Sequence, residues 1–214
     1  MSTEVPKVAA ASREDPVEEP ERILYRPAIL IDGAYLEHLI RETLGPSARV
    51  DHGKLLELLS EGRKSRVFYY DCAPWAPRKP GRKHLRRLAR ARKFYEGLRE
   101  IPGLVVRLGH VESRRCGCCK KEHELAQKQT DVMLAIDLVQ LSECGASRIV
   151  LLAGDSDFVP AVELARANGS EVHLYQGSGK RKAHAALKHA CSKVSTIDPG
   201  LATRIARPIE KPAA

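Results

Sequence analysis

Three short apolar runs in this chain each lead directly into aspartate, and longer amphipathic stretches separate them. Ala28-Ile-Leu-Ile31 runs into Asp32-Gly33, Arg66-Val-Phe-Tyr-Tyr70 into Asp71, and Ile149-Val-Leu-Leu152 into Gly154-Asp-Ser-Asp157. A run without polar alternation is what a strand buried on both faces requires, and such strands belong to parallel sheets lying under helices. The pattern therefore predicts an α/β fold: an open, mostly parallel central sheet covered on both faces. Helices are expected over about 34–44, 51–61, 82–100, 124–143, 159–167 and 180–190, and further strands at 104–108, 171–175 and 193–197. In such sheets the working groups sit beyond the carboxyl ends of the strands.

Length bounds the organisation. The 214 residues suffice for one sizeable core and are short for two. Residues 1–24 are rich in Ala, Pro, Ser and Glu without apolar periodicity, and 200–214 contain Pro208 and Pro212. Both read as tails, which leaves one domain over 25–199 carrying a cysteine-containing insert at 112–123. No segment approaches the roughly 18 uncharged apolar residues that would span a bilayer, so no membrane partner is expected. Without a basic segment followed by an apolar one near the start, the expected location is cytoplasmic. Lys and Arg outnumber Asp and Glu by 36 to 27, a net charge of +9. The first 20 residues hold five acids against two bases, and setting aside that net −3 leaves +12 on the rest. Such an excess on a folded domain points to a polyanionic partner, nucleic acid ahead of membrane.

The aspartates are the main chemical clue. Strand ends deliver Asp32, Asp71, Asp155 and Asp157 to one sheet edge, and the helix expected from Glu124 brings Asp131 there in its first turns. Asp137 lies about 9 Å further along that helix and about 120° round it, so it and Asp71 are expected to back the site rather than form it. Clustered carboxylates repel and raise one another's pKa unless a cation lies among them. An all-oxygen set suits Mg²⁺ or Mn²⁺ better than zinc, and a hard cation there can activate water and stabilise a phosphodiester under attack. Taken singly, an Asp at a strand end also serves as a helix cap, a role open to Asp155 or Asp157.

A second feature is cationic. Arg78, Lys79, Arg82, Lys83, Arg86, Arg87 and Arg90 fall in a run of nine bases with no acid from Arg78 to Lys93, while Leu85, Leu88, Ala91, Tyr95 and Leu98 form a helical apolar stripe. One face packs, and the other can follow a phosphate backbone. Lys180, Arg181 and Lys182 open another acid-free stretch. Trp75, between Pro74 and Pro77, can stack on a base or pin its own loop. In the insert, Cys116, Cys118, Cys119 and His123 have the residue types of a structural Zn²⁺ site, but the set is incomplete without His110, Cys72 or a second copy of the chain in a homodimer.

Four motifs together carry a resemblance. Ala28-Ile-Leu-Ile-Asp-Gly-Ala-Tyr-Leu36, Val67-Phe-Tyr-Tyr-Asp-Cys-Ala-Pro74, Lys128-Gln-Thr-Asp-Val-Met-Leu-Ala-Ile-Asp137 and Val150-Leu-Leu-Ala-Gly-Asp-Ser-Asp-Phe-Val-Pro160 occur in the order and spacing of the NYN domain. The chain resembles the LabA-like branch of the PIN-like nucleases over roughly residues 26–197. The resemblance implies a three-layer, Rossmann-like αβα domain, a divalent metal held by acidic side chains, and endoribonuclease activity on single-stranded or structured RNA. By motif position Asp32, Asp131, Asp155 and Asp157 resemble its acidic site. The chain departs from the pattern at Tyr35, where members often have Asn, at Ala153, where Ser is common, and at Gln129-Thr130, where Gly-Val is usual. Tyr35 is the feature that favours the alternative, a non-catalytic RNA-binding or regulatory adaptor. Two other readings of the acids fail. A haloacid-dehalogenase phosphatase needs Asp-x-Asp after its first strand, and a dinucleotide-binding fold needs Gly-x-Gly-x-x-Gly there. A toprim-like Asp-x-Asp stays conceivable from Asp155 and Asp157, although it would want Glu where Asp32 stands.

Overall fold

A computed structural model describes residues 27–115 and 123–207. Its centre is a seven-stranded sheet ordered β4-β3-β2-β1-β5-β6-β7, with β1 Ala28–Asp32, β2 Arg66–Cys72, β3 Leu104–Arg115, β4 His123–Lys128, β5 Arg148–Leu152, β6 Glu171–Gly177 and β7 Lys193–Ile197. Every neighbouring pair is parallel except β3 and β4. Among the described residues seven α-helices accompany the sheet: α1 Gly33–Leu44, α2 His52–Ser60, α3 Arg82–Arg99, α4 Thr130–Glu143, α5 Val159–Ala167, α6 Ala185–Ala190 and α7 Pro199–Arg204.

The uniformly apolar strands divide their side chains between two cores, as the period of two demands. Leu30, Tyr70, Leu151 and Leu174 face Leu134 and Leu138 of α4, Val162 of α5 and Leu187 of α6. Ile31, Tyr69, Leu152 and Tyr175 face Leu36 and Leu39 of α1, Leu55 of α2, Leu98 of α3 and Ala202 of α7. The result is the αβα sandwich that the sequence predicts. Among the described residues no helix is long and apolar enough to cross a membrane.

Three boundaries differ from expectation. Residues 123–128 form β4 rather than the start of a helix, and pair antiparallel with a β3 that runs on to Arg115 instead of stopping at Leu108. The basic stretch expected as one helix over 180–190 is a short 3-10 turn, Gly179–Arg181, followed by α6; Lys182 (φ −64°, ψ 140°) and His184 (φ −55°, ψ 144°) take non-helical backbone conformations that separate the two. Residues 200–207, expected in the tail, are packed: Ile205 is buried and Asp51 N donates to its carbonyl at 2.8 Å.

Candidate active site

Parallel register fixes where the carboxylates gather. Asp32 is opposite Tyr70 in β2, and Ile31 is opposite Leu152 in β5, so β1, β2 and β5 end together at one edge. The β3–β4 hairpin returns the chain to that edge, and Asp131 becomes the second residue of α4. Asp32 caps α1 by accepting from Tyr35 N at 3.0 Å. Burial pushes its carboxyl up to about 6 against the help of that bond, and the charges of Asp131 and Asp71 push the same way. Asp131 is likewise raised, by burial and then by Asp155 and Asp157. Asp155 caps the 3-10 turn Ser156–Phe158, its Oδ1 accepting from Asp157 N at 3.0 Å, and both side chains are exposed. Asp32 and Asp155 are thus true caps, Asp131 and Asp157 are not, and the four acids feel one another besides.

Among the described residues no three His, Cys, Asp or Glu side chains form a group that could hold a metal ion. The aspartates share an edge without forming a closed cage. Their all-oxygen donor set and raised carboxyl pKa values fit a hard divalent cation, whose charge would relieve that repulsion.

The loops around this edge are held closely. Gln129 precedes α4 with φ 74°, a conformation uncommon outside glycine. Thr130 Oγ1 lies 2.9 Å from Cys72 Sγ, which ties the first turn of α4 to the end of β2. Tyr35 reaches across two strand ends: its hydroxyl donates to the Arg181 carbonyl at 2.5 Å and accepts from Gly177 N at 3.0 Å. Its ring fills the space beside Gly154, where a Cβ would stand 2.4 Å from Tyr35 Cε2. The residue that departs from the family pattern therefore braces the exits of β5 and β6.

The two acids expected behind the site part ways. Asp71 turns to the opposite face, accepting from Cys72 N at 2.7 Å and from Tyr95 hydroxyl at 3.1 Å; burial raises its pKa, and its charge still reaches Asp32. Asp137 is buried under the sheet, where Tyr70 hydroxyl donates at 2.7 Å and Arg107 holds both carboxylate oxygens at 3.0 Å. It is a structural ion pair. Arg107, a lone charge in an otherwise apolar run, was its only sequence signal.

The expected cations fall in two places, and two of those on α3, Arg87 and Arg90, line a cavity with Asp71. Arg82, Lys83, Arg86, Arg87 and Arg90, with His84, line a groove of about 770 Å³ on α3. Arg87 donates to the Trp75 carbonyl, and the Trp75 ring meets His84 edge-on at 6.2 Å, so the tryptophan packs its loop against α3. Arg78 and Lys79 are exposed in the same loop. Lys180 and Lys182 are exposed, whereas Arg181 is paired with Glu42 of α1. Cys116, Cys118 and Cys119 lie outside the described residues, and His123 falls in β4 without a described side chain.

A model of the NYN domain matches residues 26–198. No curated protein matches the chain, and no solved structure does.

Proposed function

The chain belongs to the NYN domain family, part of the PIN-like nuclease superfamily, and on that premise we propose that it is a metal-dependent endoribonuclease. The observation that carries this reading is the convergence of Asp32, Asp131, Asp155 and Asp157 from three elements onto one sheet edge, where their charges reach one another. Mg²⁺ or Mn²⁺ held by Asp32, Asp131 and Asp155, with Asp157 at the margin, would supply an activated water and offset charge on the phosphate. The protein's own part is positional. Asp32 and Asp155 are fixed by their capping bonds, and Tyr35 braces the loops that carry them. The groove on α3, with Arg78 and Lys79 before it, takes the phosphate backbone, and Lys180 and Lys182 are the further candidates for contact with it.

Labelled RNA incubated with Mn²⁺ or Mg²⁺ should be cut, and a chelator should stop the reaction. Asp155→Asn should lower the rate at least about 100-fold, some 2.7 kcal/mol of lost transition-state stabilisation, with RNA affinity and folding kept. A native protein that binds RNA and leaves it whole under all these conditions is instead the adaptor, the reading that Tyr35 favours.

The cationic groove has its own test. If Arg82, Lys83 and Arg86 contact phosphates, changing all three to Gln should flatten the plot of log affinity against log salt by about two units, since each contact releases roughly 0.7 counterion from a single strand. The loss should be equal for RNAs of different sequence. Superimposable slopes for native and triple-Gln proteins would remove α3 from the RNA path.

A further inference from the structure

On the face of the sheet away from α4, a cavity of about 620 Å³ lies among α1, α2 and α3 and reaches Asp71 at the carboxyl edge. Its walls hold His52, Tyr69 and Phe94, with Arg90 and Arg207 among its charges. His52 sits at the first position of α2, placed there by the Asp51 cap, and is only 7% exposed. Neither of its ring nitrogens has a hydrogen-bond partner among the described residues. Its ring meets Tyr69 at 5.6 Å and Phe94 at 5.5 Å between centroids. Burying two polar atoms unpaired is costly, and a site of this kind calls for an explanation.

We propose that this cavity is a nucleotide pocket, in which His52 hydrogen-bonds the edge of a base lodged against Tyr69 and Phe94 while Arg90 and Arg207 meet its phosphate. The volume is within the range of small-molecule sites. Flat aromatic walls suit a planar heterocycle. Burial, aided by the charge of Arg207, lowers the His52 pKa to about 4, so the ring is neutral and offers one donor and one acceptor, the pairing that a base edge presents. Arg90 and Arg207 have no carboxylate partner among the described residues, and Asp71 and Glu37 give the same lining acceptors for ribose hydroxyls. Phe94 covers His52 yet is 39% exposed, so rotation of its side chain uncovers the ring. The nucleotide can be a free mononucleotide or one unit of an RNA strand, and both present this chemistry.

The pocket is independent of the metal-dependent reading, and its test runs in chelator on the Asp155→Asn protein, where cleavage plays no part. AMP, GMP, CMP, UMP and ribose 5-phosphate are titrated calorimetrically, and a short RNA is titrated alongside. At least one mononucleotide should bind tenfold or more tightly than ribose 5-phosphate, and His52→Phe should reverse that gain. His52→Phe removes the two unpaired nitrogens at nearly constant shape, so its melting temperature should stay or rise. Should that variant fail to fold, Phe94→Ala, at an exposed position, should give the same loss. Mononucleotide binding sensitive to these changes identifies a free-nucleotide site. Sensitivity of the RNA alone identifies a base of the strand. Mononucleotide and RNA affinities both indifferent to His52 and Phe94 would overturn the pocket.

Discussion

At pH 8 in chelator, Asp32→Asn is expected to be more stable than the native chain by about 2 kcal/mol while losing cleavage. The sign follows from the raised pKa. Asp32 titrates at about 6 in the folded protein, against roughly 3.9 when unfolded. Between those values the native state binds more protons, so stability falls as pH rises through that window and the full penalty stands above pH 6. A shift of about two units amounts to roughly 3 kcal/mol at most, and solvent at the partly open edge reduces it. Asn removes the charge and keeps the cap to Tyr35 N, for it is as good an N-cap as Asp. Urea titrations at pH 4 and pH 8 decide the matter: the advantage of the variant should vanish at pH 4. A gap equal at both values would mean that Asp32 carries no buried charge, and millimolar Mn²⁺ should narrow the gap by stabilising only the native chain.

The second large effect lies away from the chemistry. Asp137→Ala should cost about 3 kcal/mol, because it strands the fully buried Tyr70 hydroxyl and unpairs Arg107. Asp137→Asn keeps an acceptor for Tyr70 and should cost about half as much. The folded fraction of either variant should cleave at the native rate. This is the opposite signature to Asp155→Asn, and chemical denaturation paired with rates per folded molecule separates the two. An Asp137→Asn protein that is stable and inactive would place Asp137 in the site after all.

Much of this was legible because both-faces-buried strands leave so plain a trace. Runs such as Ile149-Val-Leu-Leu152 fixed the sheet, its parallel sense and the edge at which Asp32 and Asp155 stand, whereas Asp131 reaches that edge through the β3–β4 hairpin and not through a helix begun at Glu124. What failed to show was whatever depends on distant partners. His123-Glu-Leu-Ala-Gln-Lys128 mixes polar and apolar residues in a way that suits a helix, and only pairing with β3 makes it a strand. Asp137 looked like a neighbour of the site, because Arg107 and Tyr70, its partners, come from other strands. Tyr35 looked like a missing contact, whereas its hydroxyl is joined to Gly177 and Arg181 near the far end of the chain. His52 gave no signal, since a histidine after a capping Asp is unremarkable until its surroundings are known.

The place of β1 in the sheet also governs timing. This strand is flanked by β2, which follows soon after it, and by β5, with Ile29 paired to Val150 across most of the domain. Chains emerge from the ribosome amino end first. Until β5 is out, one apolar flank of β1 stands open, and Asp32 and Asp131 have neither Asp155 nor Asp157 beside them. The four acids can therefore come together only after β5 has joined β1, which makes the candidate site a late part of this edge to assemble.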